Sequence, residues 1–435
     1  MIKRQIFKKR PTEMVGLLSM KKNIIFLILF SIVVHVYFIA KYPLIVDELN
    51  IWNSFVSKGG FFEYWKHFIK YDTHQPLFYL FWYSIFKSGF SEFGLRLPSL
   101  FFFFSSAYYW EKLFPWTKNE SLVPWGMFLF SPFVLMYSSF FLPYSLLIFA
   151  SIFNFYALVN LEKESTRKSQ IIFFISCLFL IFTHYYGALQ ALLTASYLVY
   201  CQKSWRLKFV FAFSTLVLGL ILMLGSDFLN DFNAIHNYRK VPTLFNVVGA
   251  VNLLLGGRYL SILLLILILY KRKWMLFKSR EFLFILTVIA IAYGKSKWIS
   301  PSFEARYLLI LIYPLYFLLK GLEIRFISLI ITMVSLFSLY QLQGTFGASF
   351  VTKYEKVPRT NEGVGLFITP CPKFYFPSSN YLCKDYYQNY EQMTAGANQF
   401  IVHKDHYFFF KRLVRNSECE RMQEPGLYSC RLQVK

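Results

Sequence analysis

The chain is short of charge and shorter still of acid. Charged residues make up 16% of its 435 positions, and 23 carboxylates face 46 lysines and arginines. A soluble protein of this size carries about 25% charged residues. With 56% hydrophobic and 21% aromatic residues, the chain has more apolar surface than a water-soluble core can hide. The composition therefore implies an integral membrane protein and excludes an ordinary cytosolic enzyme. Nucleotide machinery is missing too. Gly294-Lys295-Ser296 is not a phosphate loop, because Ile289 stands where the required glycine would be. There is no GxGxxG, no HExxH and no GxSxG. No internal repeat stands out, which argues against inverted-repeat transporters. The net charge of +23 is spread in short patches between apolar runs, so it reads as cytoplasmic loop charge and not as a nucleic-acid surface.

At the N-terminus, Lys3, Arg4, Lys8, Lys9, Arg10, Lys21 and Lys22 stand against Glu13 alone, before the apolar run 24–40. No small-x-small cleavage site follows, so 1–23 is read as a cytoplasmic basic segment before an uncleaved first span. Further candidate spans are 76–90, 97–114, 122–138, 140–160, 171–183, 187–200, 209–225, 244–270 (with a break near Gly256-Gly257), 282–293, 306–320 and 325–340. The total is about 11 to 13 helices. Lys203, Arg206 and Lys208, and the basic run 271–280, mark cytoplasmic loops. This puts 43–75, 184–187, 226–243 and 294–305 on the outer side. Counting crossings from the two ends disagrees by one within 76–138, which a split or re-entrant helix would reconcile.

Beyond residue 341 the composition turns polar and no run is long enough to span. Residues 341–435 are expected to form a small extracytoplasmic α/β or β-rich domain, with strands near 364–369 and 406–410. Four of the six cysteines lie there: Cys371, Cys383, Cys419 and Cys430. Two disulfides are the expectation, with Cys371–Cys383 and Cys419–Cys430 favoured by proximity. A zinc site is the rival, without the Cys-x-x-Cys spacing it usually has.

The chemistry-bearing residues concentrate in the outer loop 43–75. Asp47-Glu48 follows the first span directly. The pair reads either as solvated or capping acids, or as a general base at the edge of a low-dielectric region. Trp52, Phe55, Phe61, Phe62, Trp65 and Phe68 alternate with Lys58, Lys66 and Lys70, a pattern of helices lying in the membrane interface. Asp72 and His74 precede Pro76, the residue that opens the next helix. Asp47, Glu48 and His74 could also hold a divalent ion, and that alternative stays open. No cofactor is otherwise implied. Other outer candidates are His184-Tyr185-Tyr186, His236, Arg239-Lys240, Lys295, Lys297 and Arg306-Tyr307. Each lysine reads either as a phosphate ligand or as a snorkelling side chain. Arg306 reads either as a phosphate ligand or as the ion-pair partner of Glu304.

In order and spacing these segments resemble the GT-C membrane glycosyltransferases, the superfamily of protein O-mannosyltransferases and the lipid A aminoarabinose transferase (glycosyltransferase family 39-like). Tyr71-Asp72-Thr73-His74-Gln75-Pro76-Leu77 is similar to that family's aromatic-Asp-x-His-Pro-Pro-Leu. Glu92-Phe93-Gly94-Leu95-Arg96-Leu97-Pro98-Ser99 resembles its Arg-Leu-Pro-Ser segment. Ser131-Pro132, Tyr137-Ser138 and Pro143-Tyr144 resemble its Ser-Pro…Tyr-Ser…Arg-x-Tyr stretch, with Phe141-Leu142 where an acid and an arginine are often found.

The resemblance covers roughly 24–340 and implies an all-α polytopic GT-C architecture. It implies inverting transfer of a sugar from a polyprenyl-phosphate donor to an envelope lipid, glycan or protein acceptor, outside a bacterial inner membrane. Asp47 would be the catalytic base with Glu48 assisting. Asp72, His74, Arg96, His184, Tyr185, Arg306 and Tyr307 would bind substrate. A polyprenyl-linked oligosaccharide ligase or polymerase, a glycolipid transporter and a non-enzymatic envelope assembly protein are the alternatives.

Overall fold

The computed structural model describes residues 11–41, 48, 51, 76–87, 92–115, 122–201, 241–270, 278–298 and 303–320, and five strands between 364 and 432. The candidate residues Asp47, Asp72, His74, His236, Arg239 and Lys240 lie outside the described residues, as do the expected spans 209–225 and 325–340 and the expected strand at 406–410. The chain divides into two compact units. One comprises Met1–Tyr42 and Trp65–Leu342; the other comprises Pro43–Tyr64 and Gln343–Lys435.

In the first unit the described helices are α1 (Pro11–Lys41), α2 (Pro76–Lys87), α3 (Glu92–Leu113), α4 (Leu122–Phe130), α5 (Pro132–Ser139), α6 (Tyr144–Lys163), α7 (Arg167–Thr183), α8 (Tyr185–Cys201), α9 (Leu244–Leu254), α10 (Arg258–Tyr270) and α11 (Arg280–Trp298). A 3-10 helix, Ala305–Leu311, then runs into α12 (Ile312–Phe317). Among the described residues, α6 is long and apolar enough to cross a membrane by itself; Ile25–Ala40, Leu77–Phe86, Leu244–Leu254 and Ala305–Phe317 are shorter apolar helices.

Prolines and glycines explain the breaks. Pro132 drives the preceding residue out of the helical region, and Ser131 accordingly takes φ −58°, ψ 125°, which separates α4 from α5. A split helix thus lies inside the interval where the crossing count conflicts. Between α9 and α10, Gly256 and Gly257 adopt φ 88° and 116°, and their amides reach back to the carbonyls of Leu253 and Asn252. A side chain at Gly257 would cost about 1–3 kcal/mol in that backbone region. Gly249, by contrast, sits within α9 with nothing within 4 Å of where a Cβ would stand. Alanine there gains up to about 1 kcal/mol of helix propensity. Thermal melting of the purified protein should therefore move in opposite directions for Gly257→Ala (down) and Gly249→Ala (up).

The bundle exposes large apolar side chains and buries several polar ones within an apolar core. Phe26, Val33, Phe101, Phe245 and Leu283 face outward, while His35, Ser138, Asn154, Gln190 and Thr194 are buried. Inside, polar side chains join helices across sequence. Asn154 on α6 donates to Ser176 Oγ (3.0 Å) on α7 and accepts from Gln190 Nε2 (3.2 Å) and Thr194 Oγ1 (3.1 Å) on α8. Uncharged hydrogen bonds of this kind hold helices together where lipid offers no hydrophobic drive between them.

The ends of α6 carry different chemistry. Glu162, near its C-terminus, pairs with Arg280 at the start of α11, and Arg280 Nε also holds Glu281 at 2.8 Å. Tyr144, at the N-terminus, lies about 27 Å away at 1.5 Å per residue.

In the second unit the described strands are β1 (Val364–Phe367), β2 (Leu382–Cys383), β3 (Gln399–His403), β4 (Ser417–Arg421) and β5 (Leu427–Leu432). They form one mixed sheet in the order β2-β1-β3-β5-β4, with β2, β1 and β3 parallel and the β3–β5 and β5–β4 pairs antiparallel. Cys419 is disulfide-bonded, and Cys430 stands directly opposite it in the β4–β5 register. Cys371 lies outside the described residues.

Candidate active site

His184, Tyr185, Tyr186, Lys295, Arg306 and Tyr307, all singled out from sequence, come together at the Tyr144 end of the bundle. Thr183 ends α7 and Tyr185 begins α8, so the extended residue His184 (φ −166°, ψ 148°) is the whole connection. A turn this tight needs Gly187: a Cβ there would lie 2.4 Å from the Leu180 carbonyl oxygen of α7. His184 also caps α8. Its Nδ1 accepts the Tyr186 amide at 3.1 Å, which satisfies one of the helix's orphan N–H groups. An accepting Nδ1 assigns the ring proton to Nε2, so the buried imidazole is neutral and offers Nε2–H as a donor.

The second half of the site comes from the 3-10 helix. Tyr307 stacks on Tyr186 (centroids 5.3 Å apart) and packs against His184 and Tyr185, each at 5.4 Å. Arg306 extends its guanidinium over the rings of Tyr144 (5.8 Å) and Tyr307 (5.5 Å) and is ion-paired with Glu304. Lys295, near the end of α11, places Nζ 4.9 Å from the centroid of the Tyr185 ring. Tyr137 of α5 completes the aromatic wall, 5.0 Å from Tyr144. Residues more than 160 positions apart in sequence thus set two cations, an N–H donor and the N-terminus of α8 around one set of tyrosines. Rings flanking a cation strengthen its hold in a low-dielectric setting, and a helix N-terminus favours an anion. The arrangement suits a phosphate group.

Arg96 is placed elsewhere. It is fully buried, donates Nη1 to the Ile39 carbonyl at 3.3 Å and lies over the Phe140 ring. Ser99, one turn on, donates to the Phe140 carbonyl at 2.6 Å. The Arg-Leu-Pro-Ser segment therefore grips both the end of α1, eight residues before Asp47, and the turn that leads to Tyr144. Glu48, in the second unit, is fully buried. Among the described residues no cluster of three metal-ligating side chains occurs.

His35, a polar residue inside an apolar run, also contributes, and motif reading passed it over. His35 on α1 holds Ser138 of α5 at 2.9 Å through Nε2 and its own Ser31 carbonyl at 2.8 Å through Nδ1. Ser138 adjoins Tyr137, so α1 helps fix the aromatic wall. The signal was an uncharged or titratable polar residue in a run otherwise free of them.

No protein-family model matches the chain, and no curated protein sequence matches it significantly. Solved structures do. The crystal structure of ArnT from Cupriavidus metallidurans bound to undecaprenyl phosphate superposes with a TM-score of 0.56 at 11% identity, over 94% of this chain and 97% of that one. The apo form of the same protein gives a TM-score of 0.56 at 11% identity, over 95% and 98%. At that identity the likeness speaks for architecture, and the architecture is the GT-C fold.

Proposed function

We propose that this protein is a multi-pass membrane glycosyltransferase that moves a sugar from a polyprenyl-phosphate donor to an envelope lipid, glycan or protein hydroxyl on the extracytoplasmic face. One observation carries the reading: His184, Tyr185, Lys295, Arg306 and Tyr307 converge at one end of a fold whose solved representative holds undecaprenyl phosphate. The donor phosphate lies against Arg306, Lys295 and the Nε2–H of His184. The acceptor hydroxyl attacks the anomeric carbon as its proton passes to the Asp47 carboxylate, with Glu48 assisting. The bond from the anomeric carbon to the phosphate oxygen breaks, its electron pair leaves with the lipid phosphate, and configuration inverts. The cations take up the charge that develops on the leaving group. Asp72 and His74 serve the substrate side of the same reaction, and Arg96 braces the end of α1 that leads towards Asp47. The sugar arrives already activated on its lipid, which fits a chain without nucleotide-binding motifs.

Arg306→Gln in full-length protein in lipid nanodiscs tests the donor half. Loss of a charged hydrogen-bond donor should weaken undecaprenyl phosphate binding roughly tenfold to a hundredfold. An unchanged dissociation constant would remove Arg306 from the phosphate site and leave the reading without its main observation.

A further inference from the structure

The segment that carries Arg306 is unusual. A 3-10 helix rarely runs beyond three or four residues, yet Ala305–Leu311 has seven. Pro314 favours this geometry. In an α-helix the Ile310 carbonyl would accept from the amide of residue 314, which proline lacks, and the proline ring would press on that carbonyl. The preceding turn tightens instead: Tyr307 N–H bonds to Glu304 O at 3.1 Å, and Ile312 N–H bonds to Leu309 O. The Ile310 carbonyl is met from another helix, because Ser151 of α6 donates its Oγ to it at 3.3 Å.

Ser151 is 1% exposed and is held on its other side as well. Its own carbonyl accepts from Gln190 Nε2 of α8 at 3.1 Å. Gln190 is five residues along the helix from Tyr185. Its amide is pinned in turn by Asn154 Oδ1, which also accepts from Thr194. Ser151 therefore stands between the two elements that build the candidate site, bonded to one through its backbone and to the other through its side chain.

We infer that Ser151 is a positioning residue for Arg306: it locks the 3-10 form of residues 305–311 and sets the Arg306–Tyr307 pair in register with His184–Tyr185. The lever is long. Relaxing from three to 3.6 residues per turn over the four residues between Ile310 and Arg306 turns Arg306 by about 80° and shifts it about 2 Å along the axis. That moves the guanidinium away from the face where α8 begins. The inference rests on the anion-binding reading of the site, but its geometric part can be checked without it.

Two measurements on full-length protein in nanodiscs test it. In the first, undecaprenyl phosphate binding is titrated for wild type, Ser151→Ala, Ser151→Thr, Arg306→Gln and the Ser151→Ala/Arg306→Gln double variant. Ser151→Ala should weaken binding about five- to tenfold, Ser151→Thr should restore it, and the loss should vanish in the Arg306→Gln background. A penalty that persists undiminished in the double variant overturns the inference, because Ser151 would then act independently of Arg306. In the second, hydrogen exchange is followed in the peptide spanning 305–311. Ser151→Ala should speed exchange there and leave the peptide spanning 258–270 unchanged; equal rates in 305–311 also overturn it. If Arg306→Gln itself leaves binding intact, the phosphate site is wrong, and the exchange result alone decides whether Ser151 fixes the 3-10 segment.

Discussion

Gly187→Ala should remove most of the folded protein. The added methyl would sit 2.4 Å from the Leu180 carbonyl oxygen and 3.1 Å from its carbonyl carbon. Both are backbone atoms at the end of α7 and cannot swing aside as a flexible side chain would. Relief requires α7 and α8 to part by about 1 Å, against the close packing that cores maintain. Overpacking of this kind costs about 1–3 kcal/mol and sometimes more, and the same displacement pulls apart the turn that His184 makes. The Tyr186-to-His184 cap, about 1 kcal/mol by itself, goes with it. Size-exclusion profiles and melting curves of detergent-purified Gly187→Ala should show aggregation or a strongly lowered transition. Wild-type behaviour would mean the two helices are not as close as described. Because the distortion falls on His184, any Gly187→Ala protein that survives should also bind undecaprenyl phosphate poorly.

Asp47→Asn should abolish transfer while leaving the protein in the membrane. Asparagine is nearly isosteric but cannot accept the acceptor's proton, and losing a positioned general base costs about a hundredfold to ten-thousandfold in rate. The informative comparison is among wild-type, deletion and Asp47→Asn strains, by mass spectrometry of lipid and envelope polysaccharide fractions. One sugar should disappear from the acceptor fraction in both mutants, and its polyprenyl-linked form should accumulate. A sugar that vanishes in the deletion yet survives in Asp47→Asn would discard the base assignment and favour a transporter or assembly role. Arg306→Gln differs in kind: its defect should appear in donor affinity, whereas that of Asp47→Asn should appear in turnover at saturating donor.

Much of the helical architecture was legible because apolar runs mark helices, and proline and glycine mark their breaks. The separation of α9 from α10 at Gly256-Gly257 is an example. The meeting of His184-Tyr185 with Arg306-Tyr307 was suggested only by a resemblance in motif order, since nothing local to either dipeptide specifies the other. Three features were not legible. The 3-10 form of 305–311 depends on Pro314 acting backward along the chain and on a hydroxyl more than 150 positions away. The capping role of His184 depends on a one-residue connection that periodicity blurs. Arg96 sits in a motif that invites a substrate contact, whereas its fully buried guanidinium binds the end of α1. Asp47, Asp72 and His74 lie outside the described residues, so the catalytic half of the site still rests on their order in the sequence.

The scatter of the candidate site along the chain has a consequence for biosynthesis. Tyr144 and His184 are delivered to the membrane early, but Lys295, Arg306 and Tyr307 arrive only with the last described helices of the first unit. Chains are made and inserted from the N-terminus onward. A nascent protein that has placed α1 to α8 therefore holds one wall of tyrosines before Lys295 and Arg306 have been made. On the proposed reading, the growing chain would not have both cations of the donor site until residue 306 has been made.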